Sequence, residues 1–306
     1  MKNKAYLPSE VDFKIEDIAN RNEPLNVLMC TPDHFDIIDV KNVHMEGQAG
    51  NLDKEKAKSQ WNSQKEIYQT LKTRGVINDY WEIKGQMDCE DMVFCANQTF
   101  PWINNKNEKL VILSKMRHPS RQKEVAYFKE FFENKGYQTI DLKKSEMFEG
   151  MGDAIPHYGK NLIYGGFGHR TKKETYDEIA ETLDVTIVCL ELIDSRFYHL
   201  DTCFIPLDEE SVILCPEAFT LEGLKVIEKL FSNVIRIPST EASGLFSLNA
   251  HTINNQKNGK KAAIIQYGSI FTYNALEKSG FEVFEIDTAE FMKSGGSVFC
   301  MKMMTY

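Results

Sequence analysis

Three short segments of the chain combine the residue types that covalent catalysis needs. Cys300 lies near the C-terminus in GGSVFCMKM, His199 and Asp201 lie in FYHLDTCF, and Glu149 lies in FEGMGDAI. A thiolate is the most capable side-chain nucleophile near neutral pH, and histidine is the most common general acid or base. Each residue also has a structural interpretation of its own, because buried thiols, hydrogen-bonded histidines and acids in turns are common in proteins.

The composition argues against several classes of protein. The 306 residues carry a net charge of -9, so the chain lacks the positive charge that binding nucleic acid or an anionic membrane requires. No stretch approaches the roughly 18 apolar residues of a membrane-spanning helix, and the N-terminal residues lack the apolar core of a signal peptide. The seven cysteines have no CxxC spacing, and several lie in apolar runs. We therefore expect a protein of the reducing cytoplasm.

The chain contains an internal repeat. Five apolar runs resemble one another, and the last four begin about 50 residues apart. Each run is followed by an apolar pattern with helical spacing and then by a second apolar strand. The runs are NVLMCTPD from Asn26, KLVILSKM from Lys109, NLIYGGFG from Asn161, SVILCPEA from Ser211 and KAAIIQYG from Lys261.

A third element at the same period carries the polar residues. Alternation within a strand predicts polar side chains on one face, so we expect Cys300 on a strand, and His199 and Asp201 on one face of another strand. The repeat predicts five strand–helix–strand–strand units around an axis, in one compact α/β domain with the polar faces at its centre. These segments are DMVFCAN from Asp91, EGMGDAI from Glu149, YHLDTCF from Tyr198, FSLNAHTI from Phe246 and SVFCMKM from Ser297.

The order of these segments resembles the guanidino-modifying superfamily. The resemblance rests on Glu149, then the HxD pattern of His199 and Asp201, then Cys300 after a glycine pair, and it runs from about Met29 to the end of the chain. The superfamily includes arginine deiminases, dimethylarginine dimethylaminohydrolases, amidinotransferases and arginine or succinylarginine dihydrolases. It implies the pentein fold, a five-bladed α/β propeller of ββαβ-type repeats with pseudo-fivefold symmetry. We expect one catalytic domain over residues 1–306, with an N-terminal extension over residues 1–25.

The resemblance implies a role for each central residue. Cys300 would attack the guanidinium carbon, ammonia or an amine would leave, and a thiouronium intermediate would remain on the cysteine. His199 would protonate the leaving nitrogen and then activate water, while Glu149 holds the imidazole. Asp201 would accept hydrogen bonds from the guanidinium group, and the glycines before Cys300 would leave room for the substrate.

Five further residues are expected to bind the substrate. Arg117 and Arg170 match the family's positions for gripping a substrate carboxylate, although either arginine could instead form a surface ion pair. Asp33 lies where relatives place an acid near the substrate, and it could equally be a turn residue after a proline. Asp91 begins the segment that ends in Asn97.

Asn97 is the residue that bears on the type of reaction. Deiminases and dimethylarginine hydrolases typically have an aspartate at the matching position, whereas the dihydrolase branch has an asparagine. A carboxylate prefers the cationic guanidinium and releases the neutral ureido product, but a neutral amide discriminates less between them. Asn97 therefore favours two successive hydrolyses.

Three functions follow from these residues. The first is a cysteine-dependent hydrolase of arginine or an arginine derivative, the second an amidinotransferase that passes the group to an amine, and the third a non-catalytic binding module. The expected partner is a small guanidino compound, and a homodimer is plausible for such a family. The chemistry needs no cofactor, and the cysteines and histidines lack the paired spacing of metal ligands. Phe299 and Lys302 depart from the residues that are more usual beside the nucleophile.

Overall fold

Short strands dominate the fold and are grouped into five sheets. The computed structural model describes residues 3–306, and within that range it contains sixteen strands. The strands are β1 Ala5–Tyr6, β2 Asn26–Cys30, β3 Asp79–Ile83, β4 Thr99–Ile103, β5 Lys109–Leu113, β6 Gln138–Asp141, β7 Ala154–Pro156, β8 Leu162–Phe167, β9 Thr186–Glu191, β10 Phe204–Pro206, β11 Ser211–Leu214, β12 Asn233–Arg236, β13 His251–Asn255, β14 Lys260–Gln266, β15 Glu282–Ile286 and β16 Lys302–Thr305.

Helices connect the parallel strands of each sheet. None of the helices in residues 3–306 combines the length and the apolar composition that crossing a bilayer requires. The helices are α1 Lys54–Thr73, α2 Pro119–Gln122, α3 Glu124–Asn134, α4 Gly150–Asp153, α5 Thr175–Leu183, α6 Leu221–Leu230, α7 Ser239–Gly244, α8 Ile270–Lys278 and α9 Ala289–Met292.

The five sheets share one pattern of pairing. In each, the first strand pairs antiparallel with the second, which pairs parallel with the third. Because a parallel pair needs a crossover connection, a helix lies between the second and third strands. The sheets are β4-β5-β6, β7-β8-β9, β10-β11-β12, β13-β14-β15 and β16-β2-β3. This pattern confirms the ββαβ-type repeat and the mixed α/β class.

One sheet joins the two ends of the chain. The last strand, β16, pairs antiparallel with β2 from Lys302 opposite Met29 to Thr305 opposite Asn26. This pairing fixes the position of the segment that directly precedes β16, and that segment contains Cys300.

The N-terminal residues are packed onto the repeats. Strand β1 pairs parallel with β9, next to the sheet β7-β8-β9. Val11, Phe13 and Ile18 are buried in one core cluster with residues of β8, β9 and β11. Residues 1 and 2 of the predicted extension lie outside the described residues, and the organisation as one domain stays a prediction.

Helix α1 has the buried apolar face that helical spacing of apolar residues predicts. Ala57, Trp61, Tyr68 and Leu71 are all buried on one side of this helix, as their spacing predicted. Burying an apolar side chain of this size contributes about 1.5–3 kcal/mol relative to leaving it exposed. The opposite side of α1 carries mostly exposed charged residues.

The polar segments are not strands, and this corrects the sequence prediction. Strands begin only after the chemical groups, at Thr99, Ala154, Phe204, His251 and Lys302. Cys300 lies in a turn, and Asp201 lies in a single helical turn that follows His199. A strand sends alternate side chains to opposite faces, whereas a turn can direct several neighbouring groups to one side. The site therefore lies on the turns that precede the first strand of each sheet.

Candidate active site

Cys300 lies in a turn directly before β16. The Met301 amide donates to the Ser297 carbonyl at 3.3 Å, and the thiol of Cys300 is buried. The preceding Gly295 has a φ of 85°, which favours glycine. A side-chain carbon at Gly295 would fall on Asn42, and one at Gly296 would fall on the Phe94 ring. The glycine pair thus lets the Asn42 and Phe94 side chains approach the turn closely.

Asn249 holds the turn that carries Cys300. Its Oδ1 accepts hydrogen bonds from the amides of Ser297 at 2.9 Å and Cys300 at 3.2 Å. Its Nδ2 donates to the Cys300 Sγ at 3.2 Å and to the Asp201 carbonyl at 3.2 Å. One buried amide therefore fixes the thiol, its turn and the backbone of the facing acid.

Asp201 faces the thiol, and burial favours the uncharged form of both groups. The Cys300 Sγ donates to the Asp201 Oδ2 at 3.4 Å. Burial and then the Asp201 charge raise the pKa of Cys300 well above its ordinary value, and the Asn249 hydrogen bond opposes this shift only in part. Burial raises the pKa of Asp201 to about 7. A cation placed between the two groups would favour the charged form of both.

His199 and Glu149 form the second half of the site. The His199 Nε2 donates to the Glu149 Oε2 at 2.8 Å, and the Arg170 Nη1 donates to the same oxygen at 3.0 Å. The backbone amide of Arg117 donates to the Glu149 Oε1 at 3.0 Å. Burial alone would raise the pKa of Glu149, but Arg170 and the hydrogen bond from His199 hold it well below its usual range. Glu149 is therefore a buried carboxylate with cationic or N–H partners on both oxygens.

Thr171 supports the Glu149 side of the site through its hydroxyl group. The Glu149 amide donates to the Thr171 Oγ1 at 3.1 Å, and that hydroxyl donates to the Asp153 Oδ2 at 2.7 Å. Burial raises the pKa of Asp153 to about 7.

A second group of charged residues forms the opposite wall. The Lys41 Nζ lies 3.0 Å from the Asp91 Oδ2, and the Ser294 hydroxyl donates to the Asp91 Oδ1 at 3.3 Å. The Arg121 Nη1 donates to the Asn97 Oδ1 at 3.1 Å. Because a guanidinium group has only donors, this bond directs the Asn97 Nδ2 away from Arg121. Arg121 is itself paired with a buried glutamate, Glu124, at 3.1 Å.

These residues surround one small cavity with about 320 Å³ of space, part of which is open to solvent. Three buried polar atoms of the site have no hydrogen-bond partner in the part of the chain that the structure describes: Asn97 Nδ2, His199 Nδ1 and Asp201 Oδ1. Buried polar atoms are rarely left without partners, so these three atoms are available to a bound molecule. The residues that line the cavity include Lys41, Asp91, Asn97, Arg121, Arg170, Tyr198, His199 and Cys300.

The structure separates the expected site residues into three groups. Cys300, His199, Asn97, Asp91 and Arg170 line the cavity, while Glu149 and Asp201 bond directly to residues that line it. Arg170 is buried, with one nitrogen on Glu149, another on the Lys41 carbonyl, and its guanidinium 4.8 Å from the Tyr198 ring centroid. These contacts favour a role in holding Glu149.

Two of the expected binding residues lie farther out. Arg117 is exposed, and its side chain donates to the His169 carbonyl. Asp33 is also exposed, and it accepts a hydrogen bond from the Thr31 hydroxyl at 2.7 Å, which fits the turn interpretation. The structure therefore does not bring Asp33 together with the cavity.

The sequence interpretation missed four residues that organise the site. Asn249 lies in FSLNAHTI, one of the five polar segments, and its position there was the available signal. Thr171 follows Arg170 directly, and Arg121 lies four residues after Arg117. Lys41 lies in a loop without a motif, and only the tertiary contacts identify it. Within residues 3–306, no group of three or more histidine, cysteine, aspartate and glutamate side chains is arranged to hold a metal ion.

The fold and the site together define a member of the guanidino-modifying α/β proteins, with the cysteine and histidine on separate turns of repeated ββαβ units. Residues 31–305 match the family of N,N dimethylarginine dimethylhydrolase, eukaryotic. The chain belongs to this family.

Individual relatives agree with the family assignment. The chain is 34% identical over 279 residues to the bifunctional arginine dihydrolase/ornithine cyclodeaminase AgrE of Nostoc sp., a match that covers 91% of this chain and 37% of AgrE. The chain thus spans less than two fifths of the length of that relative. It is 30% identical over 250 residues to the N(G),N(G)-dimethylarginine dimethylaminohydrolase of Mycobacterium tuberculosis, covering 81% of this chain and 76% of the relative.

A solved structure matches over nearly the whole chain. The N-terminal domain of ArgZ, an arginine dihydrolase from the ornithine-ammonia cycle in cyanobacteria, superimposes with a TM-score of 0.82 at 32% sequence identity. The match covers 92% of this chain and 97% of that domain. These relatives are guanidino-group hydrolases by name, and two of the names specify different substrates.

Proposed function

We propose that this protein is a cysteine-dependent hydrolase of arginine that releases ornithine, carbon dioxide and two molecules of ammonia. The single observation that carries the proposal is the cavity lined by Cys300, His199 and Asn97, where Asp201 bonds to the Cys300 thiol and the His199 Nδ1 has no partner among the described residues. Its similarity to arginine dihydrolases supports the same substrate class.

Binding of the substrate cation starts the reaction. Asp201 accepts hydrogen bonds from the guanidinium nitrogens through its free Oδ1, and the positive charge lowers the pKa values of both Asp201 and Cys300. The thiolate then attacks the guanidinium carbon and forms the carbon–sulfur bond. His199 protonates one terminal nitrogen, which leaves as ammonia, and a thiouronium group remains on Cys300.

Hydrolysis of this intermediate uses the same histidine. His199 removes a proton from water, the resulting hydroxide attacks the central carbon, and the carbon–sulfur bond breaks to give a ureido group. Glu149 keeps the imidazole in place during both proton transfers, because its Oε2 accepts from the His199 Nε2 and leaves Nδ1 facing the reaction. The ArgZ structures include a cysteine-to-serine mutant bound to substrate, and a variant covalently bonded to a reaction intermediate, which supports a covalent route.

Asn97 explains why the ureido product would stay for a second round. Arg121 occupies the Asn97 Oδ1, so the Nδ2 group presents N–H donors to the cavity. A ureido oxygen accepts such a donor, whereas the guanidinium group has no acceptor atom. The amide therefore stabilises the ureido intermediate. In the second round Cys300 attacks the ureido carbon, the terminal nitrogen is protonated by His199 and leaves as ammonia, and a thiocarbamate remains on the sulfur. Water then cleaves the carbon–sulfur bond, and the resulting carbamate loses carbon dioxide to give ornithine.

The arrangement of the sheets is part of the proposal. Five ββαβ units, each with a polar turn ahead of its first strand, support a five-bladed propeller with pseudo-fivefold symmetry and the cavity near its axis. We propose the one-domain organisation over residues 1–306 on the same grounds.

The product ratio tests the proposed reaction. The purified protein is incubated with arginine, citrulline and N,N-dimethylarginine in separate reactions, and ornithine, citrulline and ammonia are quantified by mass spectrometry and an ammonia assay. We expect one ornithine and two ammonia per arginine without accumulation of citrulline. Accumulation of citrulline with one ammonia would show a deiminase instead, and dimethylamine from dimethylarginine alone would show the other named activity of the family. No product from any of the three compounds would contradict the proposal as a whole.

The matched variant is Asn97→Asp. An aspartate keeps the size of the side chain and its contact with Arg121, but it removes the N–H donors. We expect the variant to release citrulline and one ammonia. An unchanged yield of ornithine from Asn97→Asp would overturn the proposed role of Asn97 without affecting that of Cys300.

A further inference from the structure

A second cavity lies near the nucleophile turn and has a different character. It comprises about 620 Å³ of space, part of which is open to solvent, and among residues 3–306 it shares no lining residue with the cavity beside Cys300. Ile155, Phe204, Ile253 and Met304 form part of its mainly apolar wall. Lys302, two residues after Cys300, also lines it, and we therefore name it the Lys302 cavity.

Lys302 is an unusual residue for such a wall. Its side chain is fully buried, and its Nζ lies 3.1 Å from the centroid of the Phe299 ring. The ammonium group has no hydrogen-bond partner within the described chain. Burial lowers the pKa of Lys302 to about 7, although the charges of Asp201, Cys95 and Cys300 oppose the shift. A buried lysine with three donors and no acceptor is costly unless a bound molecule supplies one.

His251 supplies a second donor on the same wall. The Tyr68 hydroxyl lies 2.7 Å from the His251 Nδ1, and the Gln64 Nε2 donates to that hydroxyl oxygen at 3.3 Å. The single hydroxyl proton is thus directed to Nδ1, and the neutral imidazole carries its proton on Nε2. His251 also lines the cavity, and its Nε2 is buried without a hydrogen-bond partner in the described residues.

We propose that the Lys302 cavity binds a small aliphatic carboxylate. A carboxylate has two oxygens, and the cavity offers one donor to each, the Lys302 ammonium and the His251 Nε2–H. Its aliphatic chain would contact the apolar side chains of Ile155, Phe204 and Met304. Phosphate fits less well, because it has four oxygens to satisfy and the wall offers only these two buried unpaired donors within residues 3–306.

Calorimetric titration of the full chain tests the proposal. Isovalerate is titrated into the protein at pH 7, with isovaleramide as a neutral probe of equal shape and sodium phosphate as the competing anion. We expect saturable binding of isovalerate, and at least roughly 10-fold weaker binding of both other probes, since a hydrogen bond to a charged group is lost with the amide. Equal binding of isovaleramide, tighter binding of phosphate, or no binding of isovalerate would each overturn the proposal.

Two variants separate this cavity from the catalytic one. Lys302→Met keeps an unbranched chain of similar size and removes the ammonium group, so the variant should fold and should bind isovalerate roughly 10- to 100-fold more weakly. Arg117→Ala removes a cation outside this cavity, and it should bind isovalerate as the wild type does. Loss of binding in Arg117→Ala with retention in Lys302→Met would place the carboxylate in the catalytic region and contradict the proposal.

Discussion

The two sides of the candidate active site shift the pKa values of their acidic groups in opposite directions. The imidazole side, which consists of Glu149, His199 and Arg170, is a connected set of hydrogen bonds around a carboxylate whose pKa is held well below its usual range. The thiol side, which consists of Cys300, Asp201 and Asn249, is a buried pair whose pKa values are both raised.

In the proposed mechanism, the thiol side is the one whose ionisation depends on the bound substrate. The imidazole side carries its own positive partner in Arg170, so its charges are balanced before anything binds. The thiol side has no cation in hydrogen-bonding contact with either the sulfur or the Asp201 carboxyl among the described residues. In the proposed mechanism, a guanidinium substrate supplies the missing charge, so formation of the thiolate depends on binding of that substrate.

The largest effect is expected from removing the nucleophile. Cys300→Ala deletes the group that forms the covalent bond, and we expect the rate of ammonia release to fall at least roughly 10³-fold. Steady-state assays with arginine measure the fall. The matched control is Cys189→Ala, another buried thiol, which lies in β9 and should keep its activity. Full activity in Cys300→Ala would remove the thiol side from the mechanism.

The next largest effect is expected from neutralising Glu149 on the imidazole side. Glu149→Gln leaves the Arg170 guanidinium buried without its carboxylate, and it weakens the hold on His199. We expect kcat to fall roughly 10²-fold or more, and the free energy of unfolding to fall by about 3–5 kcal/mol. Urea denaturation and arginine turnover measure the two quantities. A normal kcat with only a loss of stability would restrict Glu149 to a structural role.

A smaller effect is expected from Asn249→Ala. The variant removes the hydrogen bond to the Cys300 sulfur and both bonds to the turn, so the thiol should ionise less readily. We expect roughly 10-fold slower alkylation of Cys300 by iodoacetamide. Asn258→Ala, at an exposed asparagine, is the control. Equal alkylation rates in both variants would show that Asn249 does not tune the thiol.

The smallest expected effect is on the pH dependence of stability, which differs between the two sides. The pKa of Asp201 is about 7 in the folded protein and about 3.9 in the unfolded chain, so between these values the folded state binds more protons. The free energy of unfolding therefore falls as pH rises through this window, by up to about 1.4 kcal/mol per pH unit for this group. Asp201→Asn should flatten that fall between about pH 4 and pH 7 in urea denaturation series.

Glu149 contributes to the pH dependence of the free energy of unfolding with the opposite sign. Its pKa in the folded state lies below the unfolded value, so its stabilising contribution is present above the unfolded pKa and is lost only at more acidic pH. Glu149→Gln should therefore leave the slope between pH 5 and pH 7 unchanged. A flattened slope in this variant, or an unchanged slope in Asp201→Asn, would contradict the comparison between the two sides.

The sequence predicted the fold best in the segments whose apolar pattern repeats. Five apolar runs and their following helical patterns predicted the ββαβ units, because burial imposes a regular spacing on each unit. The family resemblance pointed to Glu149, His199 and Cys300. The structure places His199 and Cys300 in the wall of one cavity, and Glu149 bonds to His199.

Contacts between distant segments could not be predicted in this way. Asn249 lies 51 residues from Cys300, and Arg121 is 24 residues from Asn97, so neither contact has a local pattern. The polar segments were predicted as strands because they alternate, but their backbone turns to bring neighbouring groups to one side. Asp33 matched a family position, yet its carboxylate is bound locally by Thr31 at the surface.

The most direct test is to trap the covalent intermediate. The protein is mixed with arginine, quenched in acid at short times, digested and analysed by mass spectrometry. The proposed mechanism predicts an adduct on the Cys300 peptide with the mass of arginine less one ammonia, which forms and decays at rates consistent with turnover. Turnover of arginine without any adduct on Cys300, or with an adduct on another cysteine, would contradict the mechanism.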